Sequence, residues 1–146
     1  MSYFITGINT GVGKTLISCA LLHAFSGQGK RVAGFKPVAA GCDENEHNDD
    51  AKRLRAASSM QLTYGQVNPY CFHHAIAPHL AAMHSGVRIE LSRILASYHE
   101  LSAQSDEVIV EGSLAKDGTK QGNARSVTMA GTGKKLGGAS SEGNIP

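Results

Sequence analysis

The run Gly7-Ile8-Asn9-Thr10-Gly11-Val12-Gly13-Lys14-Thr15 constrains this chain more than any other stretch. It follows a short apolar segment, Tyr3-Phe4-Ile5, and opens an apolar run from Leu16 to Phe25. Strand, glycine-rich turn, Lys-Thr and helix in that order make a phosphate-binding loop. Backbone N–H groups of the turn and of the helix N-terminus cradle phosphate oxygens in such a loop. Lys14 brings positive charge to the terminal phosphates, and the Thr15 hydroxyl is placed to ligate Mg²⁺. The general pattern leaves four residues between the first Gly and the Gly-Lys pair; Gly7 and Gly13 leave five, so this loop is a variant. A Gly-rich turn that binds nothing is the plainer alternative, and the preceding strand together with Lys-Thr argues against it. A dinucleotide-binding fingerprint fails, because Leu16 stands where its third glycine is needed.

A chain of 146 residues is long enough for one domain that buries about two-thirds of its unfolded surface. The formal net charge of +2 gives no broad field for nucleic acid or an anionic membrane. Cys19, Cys42 and Cys71 are odd in number, far apart and without a CxxC pair, which argues against a disulfide framework or a zinc knuckle. No basic segment followed by a long apolar one opens the sequence, and the apolar run near Leu16–Phe25 is too short to span a bilayer. These features predict a soluble cytoplasmic protein without nucleic-acid or membrane partners.

Residues 1–113 read as alternating strands and helices. The first strand is Tyr3–Thr6, and a helix from about Thr15 to Ser26 carries Ile17, Leu21, Leu22 and Phe25 on its apolar face. Gly27 and Gly29 stop it, and Val32–Phe35 is a second strand. After a polar loop, a second helix starts with Asn48 or Asp49 as its cap and carries Leu54. Asn68-Pro69-Tyr70 marks a turn, Val67–Phe72 allows another strand, and Pro78 opens a short helix towards Met83. An amphipathic helix spans about Glu90 to Leu101, with Leu91, Ile94, Leu95, Tyr98 and Leu101 on one face. Val108-Ile109-Val110 is a buried-type strand ending at Glu111-Gly112. Such alternation predicts an α/β fold: a phosphate-loop NTPase-like parallel sheet with flanking helices, incomplete on its C-terminal side.

Residues 114–146 differ in kind. They are Gly-rich, lack aromatic residues and show neither helix nor strand periodicity, with five Lys or Arg against two acids. Burial in such a segment cannot offset its ordering entropy, so it is expected to be a disordered or frame-shifted tail. Gly131-Thr132-Gly133-Lys134 imitates a second phosphate loop, but Lys135 replaces the hydroxyl residue and no strand precedes it.

Three further groups are candidates for chemistry. Lys36 ends the second strand, where ligands of open α/β sheets collect, and its ammonium adds to that of Lys14 in neutralising charge; a solvated strand-end Lys is the alternative. Asp49 and Asp50 suit either a helix cap or a Mg²⁺ ligand. Glu111 closes an apolar run, as does the acidic residue of the second NTPase motif. His73, His74, His79 and His84 match no metal signature and read as surface or substrate-loop residues. Tyr70 and Phe72 read as packing residues.

Taken together, the chain resembles the dethiobiotin synthetases. The resemblance rests on residues 6–15, Phe35-Lys36-Pro37-Val38-Ala39-Ala40-Gly41, Asn48-Asp49-Asp50-Ala51, Val67-Asn68-Pro69-Tyr70, Ala77-Pro78-His79 and Val108-Ile109-Val110-Glu111-Gly112. The five-residue spacing in the loop is that family's own. The resemblance implies an ATP- and Mg²⁺-dependent ligase that joins 7,8-diaminononanoate and CO₂ through a carbamate and its phosphorylated mixed anhydride, in biotin biosynthesis. It implies that Lys14 and Lys36 are the catalytic cations, and that Thr10, Gly11, Val12, Gly13, Lys14, Thr15 and Leu16 wrap the nucleotide. Thr15, Asp50 and Glu111 would surround the metal, and a homodimer would be the assembly.

Two departures stand against full identity. Ala40 replaces a hydroxyl residue common in the family, removing a possible substrate hydrogen bond of about 1 kcal/mol. After Gly112 the family continues with further glycines and a Pro-Leu, whereas this chain has Ser113-Leu114-Ala115-Lys116. The abrupt change suggests a truncation or frame change, so an inactive nucleotide-binding fragment is the main alternative. Another ATPase of the same superfamily is a third reading. A partitioning-type ATPase is disfavoured by the lack of a second Lys near Asn9.

Overall fold

Strand β1 (Ser2–Ile5), β2 (Val32–Phe35) and β5 (Glu107–Glu111) form a parallel sheet in the order β1-β5-β2. A computed structural model describes residues 1–6 and 13–112. The proposed tail, residues 114–146, lies outside the described residues, as do Thr10, Gly11 and Val12 of the loop. The helices are α1 (Lys14–Gly27), α2 (Asp49–Ala57), α3 (Tyr64–Val67), α4 (Pro78–His84) and α5 (Leu91–Gln104). Two further strands, β3 (Val38–Ala40) and β4 (Tyr70–Phe72), pair in parallel as a separate two-stranded sheet.

The alternation of side chains along a strand assigns the two faces of the main sheet. A Cβ on Gly34 would lie 2.8 Å from Leu54 Cβ and 3.2 Å from Leu22 Cδ1, so this residue faces α1 and α2. Its neighbour Phe35 faces the opposite way, 6.3 Å from the Tyr98 ring of α5. The register Gly34↔Ile109 and Tyr3↔Ile109 puts Tyr3, Ile109, Glu107 and Glu111 on the α1 side. Tyr3 accordingly stacks on Phe25 of α1 at 5.2 Å. Leu22, Val32, Phe35, Leu54, Leu101, Val108 and Ile109 are essentially removed from solvent. Burying each of the large ones contributes about 1.5–3 kcal/mol.

Several expectations need correction. Helix α1 buries Thr15, Ser18 and Leu22 with Phe25 packed alongside, while Ile17 points to solvent. Ser18 is fully buried, and its hydroxyl donates to the Lys14 carbonyl at 2.8 Å. In α5, Leu91 at the first turn is also exposed, and Ile94 and Leu101 carry the burial. The possible strand near residues 67–72 exists as β4, but it pairs with β3 rather than extending the main sheet. Strand β3 and the one-turn α3 were not foreseen. The latter is set by a capping box, Thr63 with Gln66, a pattern present in the sequence but too short to stand out by periodicity.

The reading of the cysteines is overturned as well: Cys42 and Cys71 form a disulfide, with Cα atoms 6.0 Å apart. Their sequence separation of 29 residues hides the fact that β3 and β4 run side by side. Cys19 is free.

Candidate functional site

Parallel pairing brings the site together. Phe35 is level with Val110, and Ile5 with Glu111, so Lys36 and Glu111 emerge side by side at the carboxyl ends of β2 and β5. Both point towards α1 by strand alternation. Lys36 Nζ donates to Glu111 Oε1 at 2.7 Å, and Thr15 Oγ1 donates to the same oxygen at 3.0 Å. Glu111 is fully buried and Lys36 is 4% exposed. Asp50 Oδ2 approaches Lys36 Nζ from α2 at 3.6 Å and is partly open to solvent. One cation thus faces two carboxylates.

The second carboxylate oxygen, Glu111 Oε2, is buried and has no hydrogen-bond partner among the described residues. A buried, unsatisfied carboxylate oxygen is costly unless something else completes its shell. A hydroxyl and two carboxylates are hard oxygen donors of the kind Mg²⁺ takes when phosphates and water supply its other ligands. The residues present therefore fit that ion. Among the described residues no group of three or more His, Cys, Asp or Glu could hold a metal by itself.

Helix α1 begins where the loop ends. Gly13 is its N-cap, with φ 85° and ψ 17°, a left-handed conformation that favours glycine over any residue with a Cβ. Among the described residues no side chain caps the helix, and a helix N-terminus of this kind suits an anion. Lys14 is the first helical residue, Thr15 is turned inward to Glu111, and Leu16 is 75% exposed. A cavity of about 330 Å³ between α1 and α2, lined by Thr15, Leu16, Cys19, His23, Arg53 and Ala57 among others, adjoins this end. Burial, and then the charge of Glu111, push the Cys19 thiol upward, so it stays protonated. A larger cavity of about 520 Å³ lies by β4 and touches neither Lys36 nor Glu111.

Asn48 settles the alternatives at α2. Its side chain accepts from the Asp50 and Ala51 N–H groups, so Asn48 is the cap. Asp49 and Asp50 occupy the first turn, where acidic groups meet the positive end of the helix dipole. Asp50 is then free to face Lys36. Two organising residues went unrecognised as such. Asn68 donates to the carbonyls of Lys36 (2.6 Å) and Tyr70 (2.9 Å), fixing the chain just past β2. Tyr64 accepts from Asn48 N and donates to Asn68 Oδ1, both at 2.8 Å. The segment Val67-Asn68-Pro69-Tyr70 signalled a turn, but not what the amide holds.

The histidines at 73, 74, 79 and 84 are exposed, as a surface reading expects, and Tyr70 and Phe72 are buried in the core. No helix among the described residues is long and apolar enough to cross a membrane.

Comparison with known proteins gives a consistent picture. A family model described as an AAA domain matches residues 1–135. The chain is 46% identical over 113 residues to the ATP-dependent dethiobiotin synthetase BioD of Xylella fastidiosa strain Temecula1, covering 75% of this chain and 50% of that protein. It is 51% identical over 110 residues to the enzyme of that name from Nitrosospira multiformis, covering 75% and 48%. The enzyme of that name from Aromatoleum aromaticum is 46% identical over 114 residues, covering 76% and 51%. The chain spans about half the length of the curated relatives it matches.

Proposed function

Because the chain belongs to the AAA domain family, which matches it over residues 1–135, we propose that its site binds Mg·ATP and serves an ATP-dependent dethiobiotin-synthetase reaction. The observation that carries this reading is the convergence of Thr15 and Lys36 on one oxygen of buried Glu111, with the other oxygen unpartnered among the described residues. The substrates are 7,8-diaminononanoate and CO₂. One amine takes up CO₂ as a carbamate, ATP phosphorylates the carbamate to a mixed anhydride, and the second amine closes the ring with release of phosphate.

Phosphoryl transfer asks chiefly for positioning and charge compensation. Thr10, Gly11, Val12, Gly13 and the main chain through Leu16 wrap the phosphates, with the uncapped start of α1 adding N–H donors. Lys14 and Lys36 offset the charge of the transferring group. Lys36 is oriented by its ion pairs with Glu111 and Asp50. Thr15, Asp50 and Glu111 would be the protein ligands of Mg²⁺, which would supply charge neutralisation during transfer. The working assembly is a homodimer in the cytoplasm.

Phosphate release tests the reading. Purified chain with Mg·ATP is expected to release phosphate only when both 7,8-diaminononanoate and bicarbonate are supplied. A folded chain that binds Mg·ATP but shows no such dependence replaces this reading with nucleotide binding without ligase turnover.

A further inference from the structure

The Cys42–Cys71 disulfide lies outside the phosphate site but is tied to it through one hydroxyl. Cys71 Sγ is 3.4 Å from Tyr64 Oη. That phenol accepts from the Asn48 N–H and donates to Asn68 Oδ1. Asn48 caps α2 through the Asp50 and Ala51 amides and also donates to the Ala40 carbonyl at 3.1 Å. Asn68 holds the Lys36 carbonyl. The two residues that face each other across the site, Asp50 and Lys36, are therefore positioned by neighbours of one phenol that touches the disulfide.

The bond also closes the base of the loop that leads into α2. Cys42 N–H donates to the Phe72 carbonyl at 3.0 Å, and beyond it Asp43 turns the chain by accepting from Asn45 and His47. The His47 ring packs on Tyr64 at 4.1 Å. Burial raises the Tyr64 hydroxyl's pKa, so the phenol remains a donor at neutral pH.

The two sulfurs differ in access. Cys42 is buried, whereas Cys71 is partly exposed and lines the cavity of about 520 Å³ beside β4. A small thiolate can therefore reach Cys71, and Cys42 is the leaving group.

We propose that Cys42 and Cys71 form a reversible thiol–disulfide pair, opened by a dithiol reductant attacking Cys71, whose state sets how firmly the α2 N-terminus holds Asp50 against Lys36. In the exchange, a reductant thiolate bonds to Cys71 Sγ while the Cys42–Cys71 bond breaks. The electron pair leaves on Cys42 Sγ, which takes up a proton. The reductant's second thiolate then attacks its own sulfur in the mixed disulfide and expels Cys71, which is protonated in turn. The dithiol loses two electrons and two protons, and the protein gains them as two thiols. The exchange and its effect on α2 do not rest on the function proposed above.

The test uses the full chain without nucleotide. Thiol titration after mild oxidation and denaturation is expected to find one free thiol, that of Cys19, rising to three with dithiothreitol. Three thiols before reductant would overturn the pair. Amide hydrogen exchange on both forms is expected to show the Asp50 and Ala51 N–H groups exchanging at least tenfold faster after reduction, with Val32–Phe35 unchanged. Equal rates at Asp50 and Ala51, or loss of protection in β2 as well, would overturn the local positioning role. Cys19→Ser is expected to keep the reductant response, and Cys42→Ser with Cys71→Ser to abolish it. A response that survives the double substitution would contradict the assignment.

Discussion

Lys36 Nζ and Glu111 Oε1 stand 2.7 Å apart at the ends of neighbouring parallel strands, both almost wholly removed from solvent. Removing one partner of a buried ion pair leaves the other charge uncompensated, which costs about 3–5 kcal/mol. Lys36→Met is therefore expected to destabilise the fold by roughly that amount. Glu111→Gln in the same background should recover part of the loss, since the buried charge is then gone. Urea melts of the two single variants and the double variant check this, and strictly additive losses would contradict the coupling.

Asn48 caps α2 through two amide bonds, so Asn48→Ala is expected to cost about 1 kcal/mol. Asn48→Asp keeps an acceptor at the cap and should lose less. Thermal melts of the three proteins in reductant-free buffer give the comparison.

Gly34 is required by close approach rather than by turn geometry. A Cβ there would meet Leu54 Cβ at 2.8 Å and the Leu54 carbonyl at 3.0 Å, neither of which can swing aside without moving α2. Gly34→Ala is expected to destabilise by about 1–3 kcal/mol. Gly65→Ala, in helix α3 with nothing within 4 Å of the new methyl, is expected to be neutral or stabilising. Denaturant midpoints for the two variants should move in opposite directions or differ clearly in size.

Asp43 accepts from Lys52 and from the His47 and Asn45 amides, which lower its pKa from 3.8 to about 2. A carboxyl lowered on folding contributes stability that is present above its unfolded value and lost as pH falls through the folded one. Asp106, paired with Arg31, shifts in the same direction. Stability is expected to be level above about pH 4 and to fall between pH 4 and 2. Lys52→Met should shrink the part of that loss due to Asp43, as read from melting temperature against pH.

Strand β1 pairs with β5 alone among the described residues, and Phe4 on the α5 side of the sheet is 58% exposed. Leu16 and Ile17 are 75% and 52% exposed at the start of α1. An open strand edge beside apolar side chains favours association. Sedimentation is expected to show concentration-dependent self-association, reduced by Phe4→Lys. A monomer at all concentrations would contradict this.

Much of this architecture was legible because local signals agreed with the global fold. The strand–glycine–Lys-Thr–helix order located α1, and the Val108–Val110 run ended at Glu111, the acid that Thr15 and Lys36 meet. Pro78 opened α4 as expected, at its first helical position. What stayed hidden depends on distant pairing. Val38-Ala39-Ala40 is too short and too bland to read as a strand until Tyr70–Phe72 lies beside it. The same pairing makes neighbours of Cys42 and Cys71, which spacing alone could not do. Glu107 is another such case: it looks like a solvated residue before an apolar strand, yet it is buried against Lys30 at 2.7 Å. At the site, Lys36 and Glu111 were each identifiable as strand-end groups, whereas the orienting amide of Asn68 required the fold.

The most direct test of the account is a calorimetric titration of ATP into the folded chain with and without Mg²⁺, repeated with Glu111→Gln. Saturable binding that strengthens with Mg²⁺ is expected, with the Mg²⁺ enhancement lost in the variant while its fold persists. A folded chain that binds no ATP, or a variant whose Mg²⁺ dependence matches the original, would contradict it.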